Sequence, residues 1–207
     1  AVEIDPLRCE ALEAGLPDNV RLLRGDVLNR NFAEWLAAGG WSPPAVLVAN
    51  LPYNAATPIL VRAIEEEGTF ARVVATVQKE VARRFAAAPG SEEYGYLSVR
   101  AAAFARARVL FDLPSGAFRP PPRVKSSVLE LVPRSVPLDR ATRARALALA
   151  SLAFRFRRKT LVNALSSAVD RVRVARVLEE LGRAPMARAE ELSLADYLAL
   201  AARLEAA

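Results

Sequence analysis

Histidine is absent from this chain of 207 residues, and cysteine occurs once, at Cys9. Without histidine the protein has no imidazole base, no Ser-His-Asp triad and no imidazole ligand for a metal. A single cysteine forms neither an internal disulfide nor a Cys-x-x-Cys site, which is typical of the reducing cytosol. We therefore expect a cytoplasmic protein without a metal centre, in which Cys9 is a small apolar residue on a helix.

Long apolar runs are also lacking, so the sequence predicts no membrane span. The composition, 53% hydrophobic and 25% charged, is typical of a globular protein. The first residues form neither a signal peptide nor a presequence, and they lack an initiator methionine. Because residues 1–5 are typical of the middle of a strand, we expect the natural N-terminus to be missing.

Basic residues outnumber acidic ones, 29 to 23, for a net charge of +6. The excess is local, because residues 1–135 hold 16 basic and 15 acidic residues and residues 136–207 hold 13 and 8. Residues 140–176 contain ten basic residues and a single acid. Such a patch indicates an acidic partner such as nucleic acid. The alternative is a solvated helix face, although such faces normally mix Glu with Arg.

The first part of the chain, 1–135, alternates short apolar runs with helical patterns. The pattern predicts strands at 2–4, 19–24, 45–49, 72–78, 106–111 and 128–132, and helices at 5–14, 31–38, 57–67 and 79–87. Residues 97–103 fit a helix or an extended segment. The unbroken apolar run at 45–49 is typical of a buried parallel strand. The order of elements indicates an α/β domain with a mostly parallel sheet between helices on both faces.

The second part, 136–207, shows no strand pattern and predicts a small helical domain. Helical periodicity covers 140–154, 157–168, 171–181 and 193–205. The candidates for contacts with phosphates are Arg155, Arg157, Arg158 and Lys159. We divide the domains after Ser135, where two prolines interrupt the pattern.

Three predicted strands end in polar residues, and ligands of open α/β sheets bind outside the carboxyl ends of the strands. Glu3 lies at the end of the first strand, Asp26 after the second and Asn50 after the third. An acid at the position of Glu3 commonly accepts hydrogen bonds from ribose hydroxyls, and Asp26 suits an exocyclic amine. The alternatives are a plain surface acid at Glu3 and an Asx turn at Asp26.

Asn50-Leu51-Pro52-Tyr53 is the most specific feature of the sequence. Pro52 fixes its own φ and restricts Leu51 to an extended conformation. This conformation aims the Asn50 side-chain oxygen and the Leu51 carbonyl at one point, with the Tyr53 ring beside them. Two acceptors and an aromatic face suit a flipped base that carries an exocyclic NH₂ group. The alternative is a turn at the strand end with Tyr53 in the core.

These residues resemble the S-adenosylmethionine-dependent adenine N6-methyltransferases. DNA amino-methyltransferases usually carry Pro-Pro where this chain has Leu51-Pro52, which is similar to the rRNA adenine N6-dimethyltransferases. Further segments resemble the KsgA family, the bacterial small-subunit rRNA dimethyltransferases: 77–84, 94–99, 118–126, 156–165 and 188–193. The segment 157–163 favours this family over the erythromycin-resistance methyltransferases. The resemblance covers nearly the whole chain and implies a Rossmann-like class I methyltransferase domain with a small all-α C-terminal domain.

The resemblance also implies which residues bind the cofactor, S-adenosyl-L-methionine. Glu3 would hold its ribose hydroxyls, Ile4 would pack on its adenine, and Asp26 would bind the adenine amine. Val27 and Asn50 complete the predicted cofactor site. No metal is implied.

For the target base, the resemblance implies that Asn50 and the Leu51 carbonyl hold N6, with Pro52 setting their geometry. Tyr53 would stack on the base, and Phe118 would cover its other face. Accepting both N6–H bonds favours a pyramidal, more reactive nitrogen. Because the cofactor is already an activated methyl donor, no strong general base is needed, which agrees with the absence of histidine.

The family carries a Gly-rich cofactor loop after its first strand, and this chain contains no Gly-x-Gly-x-Gly sequence. That first strand is central in the methyltransferase sheet, so its absence leaves two unpaired strand edges between the strands that end at Glu3 and Asn50. We therefore expect a fragment that binds S-adenosyl-L-methionine poorly and is weakly active or inactive.

The implied function is dimethylation of N6 on two adjacent adenosines near the 3′ end of small-subunit rRNA, during ribosome biogenesis. The expected partner is small-subunit rRNA in a pre-30S particle, and we expect a monomer with no membrane partner. Two alternatives remain: a non-catalytic RNA-binding or ribosome-assembly factor on the same scaffold, and a DNA adenine methyltransferase.

Overall fold

Strands and helices alternate through the first part of the chain, and helices and turns follow in the second. The structure, a computed structural model, describes residues 1–134 and 139–205. The strands are β1 (Val2–Glu3), β2 (Leu23–Arg24), β3 (Ala45–Asn50), β4 (Phe70–Gln78), β5 (Ala105–Leu113) and β6 (Ser126–Pro133). The helices are α1 (Pro6–Glu13), α2 (Phe32–Gly39), α3 (Ala56–Glu65), α4 (Lys79–Ala86), α5 (Tyr96–Phe104), α6 (Arg140–Phe154), α7 (Leu161–Ala164), α8 (Arg171–Glu180) and α9 (Leu194–Glu205).

Capping residues fix the bounds of the first two helices close to their predicted places. The Asp5 carboxylate accepts hydrogen bonds from the first turn of α1, which begins at Pro6. Asn31 and Glu34 form a capping box at the start of α2. Gly40 ends that helix in the left-handed region, at φ 84°, where glycine carries no steric cost.

The strands form two sheets. β1 and β2 make a parallel pair, and the second sheet has the order β3-β4-β6-β5. In that sheet β3 and β4 are parallel, whereas β6 runs antiparallel to β4 and to β5. The prediction of a mostly parallel sheet is therefore wrong, because β5 returns to β6 through a loop without a crossover helix. In the described residues β1 pairs only with β2, and β3 only with β4.

One face of the four-stranded sheet carries the core of the α/β part. Helices α3, α4 and α5 pack there, and the cluster includes Val73, Val77 and Leu129. The side chains of β3 alternate, so Val46 and Val48 point away from this core and are 58% and 76% exposed. The prediction that the strand at 45–49 is buried is thus wrong, and so is the prediction that helices cover both faces of this sheet. The apolar composition of a strand does not reveal which of its faces is covered.

A second core cluster lies among the helices of residues 139–205. Leu161, Leu178 and Tyr197 are fully buried there, and Tyr94 and Val99 join them from the first part. Helix α6 has the predicted bounds, but the predicted helix at 157–168 is wrong because only α7 forms within it. The proposed domain boundary at 135/136 lies outside the described residues. In the described ranges no helix is both long and apolar enough to cross a membrane.

Arg143 of α6 joins the two parts of the chain. Its side chain is 8% exposed and pairs with Glu67, which follows α3. Its guanidinium also lies over the Phe104 ring at the end of α5, 4.4 Å from the centroid. Helix α5 contributes to both clusters, because Ala101 belongs to the α/β core and Val99 to the helical core.

Candidate active site

Glu3 ends β1 with its carboxylate held by the backbone. Its Oε1 accepts hydrogen bonds of 2.9 Å from the N–H groups of Ile4 and Asp5. Its Oε2 has no partner in the part of the chain that the structure describes. The neighbouring Ile4 side chain is 63% exposed. The pair therefore presents a fixed acceptor beside an apolar surface, which suits a ribose next to a heterocyclic ring.

Asp26 follows β2 at a turn that requires glycine. Gly25 has φ +148°, and a Cβ there would lie 2.9 Å from the Trp35 ring. The Asp26 Oδ1 accepts a 2.9 Å hydrogen bond from the Leu28 N–H, which is the Asx turn considered above. The indole of Trp35 donates to the Val27 carbonyl, 3.0 Å away. The second carboxylate oxygen of Asp26 has no partner among the described residues, so the turn and a ligand contact are compatible.

The acceptors of the Asn50–Tyr53 motif are unengaged. The Leu51 N–H donates to the Thr76 carbonyl of β4 at 3.2 Å, which continues the pairing of β3 with β4. The N–H of Ala56 donates to Pro52 rather than to Leu51, at 2.9 Å. Within the described ranges, neither the exposed Asn50 side chain nor the Leu51 carbonyl takes part in a hydrogen bond. Two acceptors at the end of β3 are thus left for a ligand.

Tyr53 is half-buried and its hydroxyl lies 3.0 Å from Ser126 Oγ on β6. This bond joins residues 73 positions apart and places the ring at the carboxyl end of the sheet. Ser126 was not predicted as a site residue, although it is the last residue of the segment 118–126, which resembles the family. Phe118 is half-buried in the loop between β5 and β6, and in the described residues no ring contact or hydrogen bond joins it to Tyr53.

A charged network holds the same end of β6. Lys79, at the start of α4, pairs with Asp112 of β5, and Ser127 Oγ donates to Asp112 Oδ1 at 2.7 Å. These hydrogen bonds, the one from Lys79 first, hold the pKa of Asp112 below its usual value. The Lys79 N–H also donates to the Lys125 carbonyl at 2.9 Å. The strand that carries Ser126 is therefore fixed against β5 and α4.

Arg62 of α3 connects the loop after β2 with the helix that follows the Asn50–Tyr53 motif. Its guanidinium donates to the Leu28 carbonyl and pairs with Glu66 at 2.9 Å. Leu28 and Leu51 both pack against the α/β core. The structure thereby ties the Asp26 turn to the Asn50–Tyr53 motif through one helix.

The four predicted RNA contacts lie in one turn between α6 and α7, which we call the basic turn: Arg155, Arg157, Arg158 and Lys159. All four side chains are exposed, and in the described residues none pairs with an acid. Lys159 Nζ lies over the Phe156 ring, 4.5 Å from its centroid. Thr160 caps α7, and the Leu161 N–H donates to Ala187 at 2.7 Å.

In residues 1–134 and 139–205, no three Cys, Asp or Glu side chains group as a metal site. Two solved structures share the fold. A dimethyladenosine transferase from Plasmodium falciparum superposes with a TM-score of 0.73 at 23% identity, over 96% of this chain and 78% of its own. The 23S rRNA methyltransferase ErmE superposes with a TM-score of 0.71 at 22% identity, over 99% of this chain and 80% of its own. The chain thus has the fold of these two enzymes, which confirms the predicted fold class.

Sequence comparison identifies the family. The sequence model described as ribosomal RNA adenine dimethylase matches residues 1–206. Proteins named ribosomal RNA small subunit methyltransferase A are 42% identical in Synechococcus sp. (strain JA-3-3Ab) and 41% in Xanthomonas campestris pv. campestris (strain 8004). The matches cover 97% and 96% of this chain, and 71% and 72% of those relatives. This chain belongs to the ribosomal RNA adenine dimethylase family of enzymes, as its motifs predicted.

Proposed function

We propose that this protein dimethylates N6 of two adjacent adenosines near the 3′ end of small-subunit rRNA, with S-adenosyl-L-methionine as methyl donor. The observation that carries the proposal is the pair of unengaged acceptors, Asn50 Oδ1 and the Leu51 carbonyl, beside the Tyr53 ring. Family membership and the names of the relatives support the choice of RNA over DNA. We infer a place in ribosome biogenesis in the cytoplasm, on the pre-30S particle.

The strand ends of β1 and β2 fit S-adenosyl-L-methionine. Glu3 and Asp26 each use one carboxylate oxygen on the backbone and keep the other for a ligand. Glu3 would accept from the ribose hydroxyls and Asp26 from the adenine amine, with Ile4 against the ring and Val27 beside it. When bound, the cofactor supplies a methyl group on a positively charged sulfur, activated for transfer.

The protein's own residues act on the adenine. Asn50 Oδ1 and the Leu51 carbonyl accept the two N6–H bonds, which favours a pyramidal nitrogen with its lone pair available. Tyr53 holds the flipped base by stacking, which is worth about 1–3 kcal/mol per base, and we propose Phe118 for the opposite face. Pro52 keeps the two acceptors in place. Catalysis by this chain is then mainly positioning.

The basic turn provides the contact with RNA. Its four cations are exposed and unpaired with acids in the described residues. Arg157 donates one of its N–H groups to the Tyr94 carbonyl at 3.5 Å and keeps the others, so each cation has donors for a phosphate. Phe156, which is 41% exposed, adds an apolar surface next to Lys159. We expect the protein to act as a monomer.

The test of the proposed function is methyl transfer by the chain with and without Asn50. Because we propose a weakly active chain, at saturating labelled S-adenosyl-L-methionine we expect slow but measurable labelling of unmethylated small subunits and no labelling of duplex DNA. Asn50→Ala removes one N6 acceptor and should abolish transfer, while RNA binding, which depends on the basic turn, stays unchanged. Asn54→Ala, an exposed residue just beyond the motif, is the control. Transfer to DNA alone, or full transfer by Asn50→Ala, would overturn the proposal.

A further inference from the structure

We propose that Ser126 is a positioning residue for the target base, acting through the Tyr53 hydroxyl. This inference rests on the proposed function, because it assigns Tyr53 to the base. The direct observation is the 3.0 Å contact between Tyr53 OH and Ser126 Oγ. Ser126 is 1% exposed, so water does not replace this bond when it is lost.

The hydroxyl bond limits how the Tyr53 ring moves. Tyr53 lies in a turn between β3 and α3, and its ring is only half-buried, so packing alone does not fix it. Because the phenolic oxygen lies on the long axis of the side chain, a hydrogen bond there fixes the direction of that axis and with it the position of the ring. Because the hydroxyl is already engaged, Tyr53 presents its face to a base, not its hydroxyl. A base stacked on that face is then held with N6 towards Asn50 and Leu51.

Ser126 itself is firmly placed. It pairs with Gln78 of β4 and Leu113 of β5, so it is held on both sides of its strand. The next residue, Ser127, bonds Asp112 instead of Tyr53. Two adjacent serines, both buried, therefore point their hydroxyls to different partners, one at the base site and one at the charged network. Ser127 is the matched control for Ser126.

The experiment measures single-turnover methyl transfer to unmethylated small subunits at saturating S-adenosyl-L-methionine, together with subunit affinity. Ser126→Ala should lower the transfer rate about 3- to 10-fold, the range expected for one ordinary hydrogen bond. Subunit affinity should change less than about twofold, since phosphate contacts dominate it. Tyr53→Phe removes the same bond from the other end while keeping the ring, and it should lower the rate equally. Ser127→Ala should leave the rate within about twofold.

The double variant separates positioning from general stability. In the Tyr53→Phe background, Ser126→Ala should have no further effect, because the bond is already gone. Equal losses in Ser126→Ala and Ser127→Ala, or additive losses in the double variant, would overturn the role of Ser126. Failure of the unaltered chain to transfer methyl groups would instead refute the proposed function, and the inference with it.

Discussion

The basic turn offers a quantitative test of where RNA binds. Replacing all four of its cations with glutamine removes up to four phosphate contacts, and each contact contributes about 0.7–0.9 to the slope of log affinity against log salt. Because the four side chains are exposed and unpaired with acids in the described residues, we count each in full. The slope should therefore fall by about 2.8–3.6.

The same numbers set the size of the effect in a binding assay. Between about 50 and 200 mM salt, the unaltered protein should lose about 50- to 150-fold more affinity than the variant. Fluorescence anisotropy with a labelled hairpin from the 3′ end of small-subunit rRNA, at four salt concentrations, measures both slopes.

A charge-matched control makes the result specific. It replaces four exposed arginines outside the basic patch, each of which pairs with an acid: Arg8, Arg24, Arg83 and Arg84. Both variants lose the same net charge, but only the basic-turn variant should show a smaller slope of log affinity against log salt. If the control lowered the slope equally, RNA binding would depend on overall charge, and the assignment of the basic turn would be wrong.

One further prediction concerns alkaline pH. Burial raises the pKa of Tyr94 to about 12 from 10.0. As pH rises, the unfolded chain therefore loses this proton before the folded protein does. The contribution of Tyr94 to the free energy of unfolding is complete below pH 10 and falls as pH approaches 12. In urea unfolding at several pH values, Tyr94→Phe should reduce the loss of unfolding free energy between pH 10 and 12. If the substitution left that loss unchanged, the linkage would be refuted.

Local signals in the sequence predicted the elements that depend on local chemistry. Asp5, Asn31 and Gly40 each satisfy backbone groups at a helix end, so the bounds of α1 and α2 follow from neighbouring residues. Helix α6 has its predicted bounds because Asp139 caps it, accepting from the Thr142 N–H. The strand ends at Glu3, Asp26 and Asn50 were recognisable for the same reason, since polar residues follow apolar runs directly.

Features that depend on distant partners were not predictable in this way. The segment 157–168 has helical periodicity, but Thr160 caps a new helix at Leu161, and the like charges of the basic turn oppose a helix before it. The predicted strand at 19–24 shortens to β2, whose two residues pair with Val2 and Glu3 across the sheet. The bond from Tyr53 to Ser126 joins residues 73 positions apart, and no local pattern indicates it.

Arg143 has a consequence for how the substrate is selected. Rotating the helical core away from the α/β core would expose a guanidinium that is now 8% exposed and would separate it from Glu67 and Phe104. Arg143 therefore favours one packing of the helical core against the α/β core, and with it one placement of the basic turn relative to the Asn50–Tyr53 motif. In the proposed complex we expect the distance between a bound phosphate and the target adenosine to contribute to selection.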